Sequence, residues 1–241
     1  MHDPRHRSAP PARAPLEAPP GLRLRKKTSV RRTISDVATR LFVEHGYDRV
    51  TMAQIAAAAD VSVKTIFNHF GSKEELFLDR EGELEGAILM AIRTRPAGTG
   101  IAEALRALAA DNRIPVPGEG WASLADPDLR QRFERFLATW HDTPALRGRS
   151  LLGGLRLADR LRDAIAAETG RPASDPAVGT FAGLLVAALQ LRGEALASAV
   201  FAGLPAAQVE RRVRAVADDV FPRIERACAD LEALAAARRG A

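Results

Sequence analysis

The stretch from Thr51 to Phe70 constrains this chain more than any other. Thr51, with Gln54 three residues on, has the capping-box pattern that starts a helix before Ile55. Ser62 offers a second cap so soon afterwards that the helix between them has room for only about two turns. That first short helix sets Met52, Ile55, Ala56 and Ala59 on one face and ends at Asp60-Val61. In the next, Val63, Ile66, Phe67 and Phe70 follow i, i+3, i+4, i+7 spacing and leave Lys64, Thr65, Asn68 and His69 outward. Upstream, Val30, Ile34, Val37, Ala38, Leu41 and Phe42 recur at helical spacing until Gly46, placed for a left-handed cap. Downstream, Gly71 stops the chain, and Ser72 with Glu75 launches a fourth helix through Leu76, Phe77, Leu84 and Ile88. Two short helices joined by a tight turn and backed by an earlier helix make a helix-turn-helix.

The remainder reads as helical too. Aromatics make up 5% of the 241 residues, alanine is abundant, and β-branched residues are scattered, so the expected fold class is all-α. A short helix is expected over Ile101–Ala110 and a Pro/Gly-rich loop over Ile114–Gly120. Longer helices follow over Pro127–Trp140, Ser150–Glu168 and Asp175–Ala202, the last opened by Asp-Pro in cap-then-first-turn order. A final helical stretch runs from Pro205 toward Arg238, with Pro222 expected to kink or split it. Residues 1–20 are crowded with proline and offer little to bury, so residues 1–27 are expected to form a disordered basic tail, with order beginning near Thr28.

Charge is concentrated in that tail. Arg5, Arg7, Arg13, Arg23, Arg25, Lys26 and Lys27 stand against Asp3 and Glu17 there, which accounts for the whole formal net charge of +5. A neutral body with a basic arm suits a locally anionic partner, double-stranded DNA being one and plain solubility the bland alternative. Cys228 is the only cysteine, so no intrachain disulfide can form and a cytoplasmic location is the default. No apolar signal core follows Met1, and the apolar run Pro176–Leu191 is shorter than the ~20 residues of a membrane span, so no membrane partner is expected. The histidines have no metal-ligand spacing, and there is neither a phosphate-cradling glycine loop nor a GxSxG serine. No metal, no cofactor and no enzymatic activity are expected.

A major groove admits one helix, and reading it takes short donors and acceptors aimed at base edges with hydroxyl or basic groups at the flanks. The outward face of the second short helix supplies that mixture. Asn68 suits an adenine, Lys64 a guanine or a phosphate, and the Thr65 methyl a thymine methyl. Taken alone, such a surface is more often a solvated helix face. The run at residues 33–79, TISDVATRLFVEHGYDRVTMAQIAAAADVSVKTIFNHFGSKEELFLD, resembles the N-terminal domain of TetR-family transcriptional regulators. The match lies in Leu41-Phe42, Gly46-Tyr47, Thr51, Ile55-Ala56, Val61-Ser62, Thr65–Phe70 and Ser72-Lys73-Glu74. The resemblance implies that Thr51 and Lys73 meet phosphates and that His69 faces backbone or base, with Ser62 also in the DNA-binding set. The family often has tyrosines where Phe67 and Asn68 stand, which places both in the DNA-facing set, although the spacing of Phe67 and Phe70 favours the core. Lys27 and Arg31, at the end of the basic run, are candidates for phosphate or minor-groove contacts, with a nonspecific solvated tail the equal alternative.

The resemblance also implies that the C-terminal half binds an effector and dimerises. The sequence therefore divides into a tail (1–27), a helix-turn-helix domain (28–80) and a larger helical effector-binding and dimerisation domain (81–241), joined through the fourth helix. Trp121, Phe133, Phe136, Leu137, Trp140, His141 and Phe181 are candidates for an apolar pocket with a few polar groups, although ordinary core would hold most of them equally well. The 175–202 segment is apolar nearly all round and needs burial on several sides. Leu185, Leu189, Leu196, Val213 and Val220 are accordingly candidates for a four-helix homodimer interface. The expected function is a ligand-responsive, DNA-binding repressor released from a palindromic operator by a small molecule. An architectural or protein-interaction module without an effector is the alternative.

Overall fold

The structure, a computed structural model, describes residues 20–110 and 120–240, and every regular element in them is helical. The first helix, α1, spans Pro20–His45. It begins eight residues before Thr28, and this corrects the expectation that residues up to 27 lack order. Pro20 supplies a preset φ at the first helical position, and the Leu/Arg/Lys run after Gly21 contains no breaker. The more N-terminal part of the expected tail, residues 1–19, and most of the expected 114–120 loop lie outside the described residues.

Gly46 ends α1 at φ 85°, and α2 (Met52–Ala58), α3 (Val63–His69) and α4 (Lys73–Phe77) follow. The helix expected after Ser72 is not continuous. It breaks at Leu78, and α5 runs from Asp79 to Thr94. Ile34, Ala38, Phe42, Ile55, Ile66, Phe70, Leu76 and Phe77 form the core of this N-terminal region. Residues 28–80 alone do not close that core: Leu146 is fully buried in it, and Phe136 and Trp140 pack against it. The Phe136 ring stacks on Phe77 with centroids 4.6 Å apart.

The remaining elements are α6 (Ile101–Ala110), a 3-10 turn at Trp121–Ala125, α7 (Pro127–Asp142), α8 (Pro144–Thr169), α9 (Pro176–Phe201), α10 (Ala206–Ala227) and α11 (Ala229–Gly240). Asp126 and Asp175 cap α7 and α9 ahead of prolines, as their order suggests. Pro222 does not split the last segment, because α10 runs through it and the break falls at Cys228. The carbonyl that proline leaves without a donor belongs to exposed Asp218, where water can satisfy it. Cys228 is buried and burial pushes its thiol up, the opposite of a reactive cysteine.

Helix α9 is the spine of the C-terminal region and packs on α8 and α10. By length and composition it would suffice to cross a membrane, but Val178, Phe181, Leu185 and Val200 are buried among its neighbours, as a core helix requires. Far from it in sequence, Glu232 of α11 caps α6, accepting from the backbone N–H groups of Ile101 at 2.5 Å and Ala102 at 2.7 Å.

Candidate nucleic-acid interface

Local hydrogen bonds set the angle at which α3 leaves the turn. Thr51 caps α2 through the full box, its hydroxyl accepting from Gln54 N–H while its own N–H donates to Gln54 Oε1 at 2.8 Å. Asp60 then takes a left-handed φ of 52°, tolerable for a short polar side chain, and Ser62 accepts from Thr65 N–H at 2.9 Å. Ile66 and Phe70 are buried and anchor the helix from one side. On the other side Lys64, Phe67 and Asn68 are exposed, together with Ser62 and Val63.

Phe67 corrects the periodicity reading. It is 53% exposed and Val63 37%, so this i, i+4 pair faces outward while Ile66 and Phe70 alone face the core. Ile66 and Phe70, four residues apart, lie along one line of the helix, and Phe67 stands about 100° round from Ile66, beyond the side that the core covers. Thr65 is less free than expected, because its hydroxyl lies 2.8 Å from that of Ser62.

Arg31 also departs from its expected role. Its guanidinium pairs with Asp79 at 2.5 Å, donates to the His69 carbonyl, and lies 4.2 Å from the Phe70 ring centroid. A side chain committed to three partners inside the domain pins α3 and α5 to α1 and is not available to a phosphate. Lys27, one turn earlier, is exposed and close enough to His69 to hold its imidazole pKa down, behind burial as the main cause. The two therefore share the C-terminal end of α3. Lys73 places its ammonium 4.3 Å from the Tyr47 ring centroid, and burial lowers its pKa. The Tyr47 hydroxyl donates to Glu74 at 2.9 Å, which with burial keeps it protonated.

A cleft of about 1140 Å³ lies where the N-terminal elements meet α7, α8 and α9. Of the pocket candidates, Phe133, Phe136, Leu137 and Trp140 line it. The other three pocket candidates do not. Trp121 and Phe181 are buried in separate core clusters, and His141 is exposed beside Asp142 at 3.0 Å. Spacing could not separate these cases, because an aromatic in a core and one on a cleft wall have the same period. At the end of the cleft nearest the helix-turn-helix, Glu75 lies 3.5 Å from Arg149 of α8 and 4.0 Å from Arg31, and its carboxylate also accepts from Gly71 N–H. Among the described residues no cluster of three or more His, Cys, Asp or Glu could hold a metal ion.

The dimer candidates fare worse. Leu185, Leu196 and Val213 are buried within the protomer, and Leu189 and Val220 pack against its core, so the residues expected to face a second copy are covered already.

The sequence profile described as "Bacterial regulatory proteins, tetR family" matches residues 34–79. The chain is 43% identical over 79 residues to the HTH-type transcriptional regulator TcmR of Streptomyces glaucescens, covering 33% of this chain and 35% of that one. It is 45% identical over 53 residues to the HTH-type transcriptional repressor AcnR of Corynebacterium glutamicum, 22% of this chain and 28% of that one. The chain thus spans about a third of the length of these curated relatives, or less. A solved structure of a TetR-family regulator from Mesorhizobium loti aligns over 82% of this chain and 98% of its own, at 22% identity and a TM-score of 0.46. Residues 34–79 thus match the helix-turn-helix domain of the tetR family of bacterial regulatory proteins.

Proposed function

We propose that this chain is a dimeric, DNA-binding transcriptional repressor that a small molecule releases from a palindromic operator. The observation that carries the reading is the outward face of α3, where Lys64, Phe67 and Asn68 stand exposed on a helix held by the Ser62 cap and the buried Ile66 and Phe70. Asn68 and Lys64 supply groups for base edges, and exposed Phe67 supplies an apolar surface for a thymine methyl. Thr51, Ser62, Lys27 and Lys73 flank that face as backbone contacts, with His69 beside Lys27.

Two copies meet along α9. Thr180, Gly183, Ala187 and Leu191 are exposed at successive turns of that helix and, past Glu194, Ser198 and Phe201 continue the line, a largely small and apolar stripe that another copy can approach closely in a two-fold pairing. The effector occupies the cleft. Its floor includes the Phe77–Phe136 stack and its end the Arg149–Glu75–Arg31 contacts, so a ligand that parts α7 and α8 from α4 and α5 moves α3 out of register with the second half-site.

Selection of bound sequences from random double-stranded DNA tests the reading. A recovered palindrome with half-sites about one DNA turn apart, ~34–36 Å, is the expected result. Recovery of no consensus overturns it. Ala187→Arg, exposed in the protomer, is expected to yield a monomer by sedimentation with helicity intact.

A further inference from the structure

We propose that the ligand of the cleft is a small apolar or aromatic carboxylate whose anionic end pairs with Arg192. The inference rests on the effector reading above and gives the effector a chemical class.

Arg192 stands on α9 between Leu189 and Leu196, on the wall of the cleft, and is 4% exposed. Its Nε donates to the Ala109 carbonyl at 3.0 Å, and its guanidinium carbon lies 5.9 Å from the Trp121 ring centroid. Nη2 is buried and has no hydrogen-bond partner among the described residues. The contrast with Arg95, the other buried arginine, is informative. Arg95 pairs with Glu168 at 2.8 Å and donates to the carbonyls of Ile92, Thr99 and Ala235. No ion pair with a described carboxylate reaches Arg192, and burial alone lowers its pKa, to about 10, which leaves it charged at neutral pH.

A buried charge that finds no counter-ion among the described residues is costly, and an anionic partner entering the cleft would offset that cost. The guanidinium presents a planar fork that fits a carboxylate with two parallel hydrogen bonds. Around it Phe133, Leu137, Val186, Leu189 and Leu196 line the cleft, a surface for a hydrocarbon chain or ring. One buried positive charge in an apolar wall matches a ligand with one negative charge and an apolar body.

The test is calorimetric titration of the full chain, without DNA, with two matched pairs of probes: 1-naphthoate against 1-naphthamide, and decanoate against decanol. In at least one pair the carboxylate is expected to bind about tenfold or more tightly than its neutral partner, a margin of ~1.4 kcal/mol. In Arg192→Met that preference falls to within about twofold, while the neutral probe binds as before and so reports a folded cleft. Arg192→Gln serves where the methionine variant fails to fold. Equal affinity within both pairs, no binding by any of the four probes, or a preference that survives the substitution overturns the proposal. Because no DNA enters the measurement, such a failure leaves the operator reading standing. A failure to select an operator would equally leave the titration valid.

Discussion

Replacing Phe67 and Phe70 by alanine, one at a time, separates the face of α3 that looks outward from the face that holds it. Phe70 is 1% exposed, and its ring seats the Arg31 guanidinium at 4.2 Å. Truncating a buried phenylalanine costs about 3–5 kcal/mol, and losing the cation–π contact adds ~1 kcal/mol. Phe67 keeps half its surface in water, so its removal forfeits at most about half of the ~1.5–3 kcal/mol of full burial, or ~1 kcal/mol. Against a total stability of ~5–15 kcal/mol, the first change consumes a large fraction and the second does not. Urea unfolding followed by circular dichroism reads this directly. With a slope of ~1–3 kcal/mol/M, the two midpoints should lie roughly 1 M or more apart, the slope itself unchanged. Phe67→Ala should nevertheless weaken binding to the selected operator about tenfold, whereas Phe70→Ala should bind in proportion to the folded fraction. Equal stability losses would refute the assignment of Phe67 to the outward face. A Phe67→Ala protein that binds the operator with full affinity would refute its role there.

Glu75→Gln removes the charge shared between Arg149 and Arg31; at about a third exposed, the group should change stability by less than ~1 kcal/mol. Operator affinity without ligand should persist while its response to a cleft-binding carboxylate weakens, and an unaltered response would exclude Glu75 as a link. Glu232→Ala leaves the N–H groups of Ile101 and Ala102 without an acceptor, which should cost about 2–4 kcal/mol and lower the melting temperature by roughly 5–15 °C; a shift under ~2 °C would show that water replaces the cap. The folded state holds His69 below its ordinary pKa through burial, Lys27 and Arg31. Its contribution to stability is therefore present above the unfolded value of ~6.5 and lost as pH falls through the folded value. His69→Gln should flatten that part of the urea-midpoint profile between pH 7.5 and 5, and parallel profiles would contradict the assignment.

The features legible in the sequence are those whose partners lie within one turn. Thr51 with Gln54, Ser62 with Thr65, Gly46 and Asp175-Pro176 are such cases, because caps bond to residues two or three positions away. These local signals placed the end of α1 and the starts of α2, α3 and α9, and hence the helix-turn-helix itself. Arg31 was not legible in this way, since what occupies it is Asp79, 48 positions on, and an arginine in a basic run looks the same whether it meets a phosphate or a carboxylate of its own chain. The cap of α6 by Glu232 spans 131 positions and leaves no local pattern. Arg192 directly follows the uncharged run Pro176–Leu191 and stands two residues before Glu194, so nothing local marks it, and the burial that gives it meaning belongs to the packed structure.

Helix α9 shows why the interface could not be located from pattern alone. An apolar surface on all sides demands burial on all sides, but the demand does not say which side the protomer satisfies for itself. The larger side chains, Phe181, Leu185 and Leu196 among them, are taken by α8, α10 and their neighbours. Left over are Gly183, Ala187 and Ser198, whose small size makes them weak markers of a hydrophobic face by composition. Choosing the bulkiest residues as the dimer contacts therefore selects side chains that the protomer already covers. In the proposed pairing a partner helix meets the remaining side, where Gly183, Ala187 and Ser198 permit close approach and exposed Leu191 and Phe201 supply apolar surface. On this reasoning a bulky charged residue at Ala187 should separate the two copies, whereas Leu185→Ala, inside the protomer, should lower the stability of each copy by about 2–5 kcal/mol. A Leu185→Ala protein that folds with full stability but sediments as a monomer would return the interface to the side the periodicity first indicated.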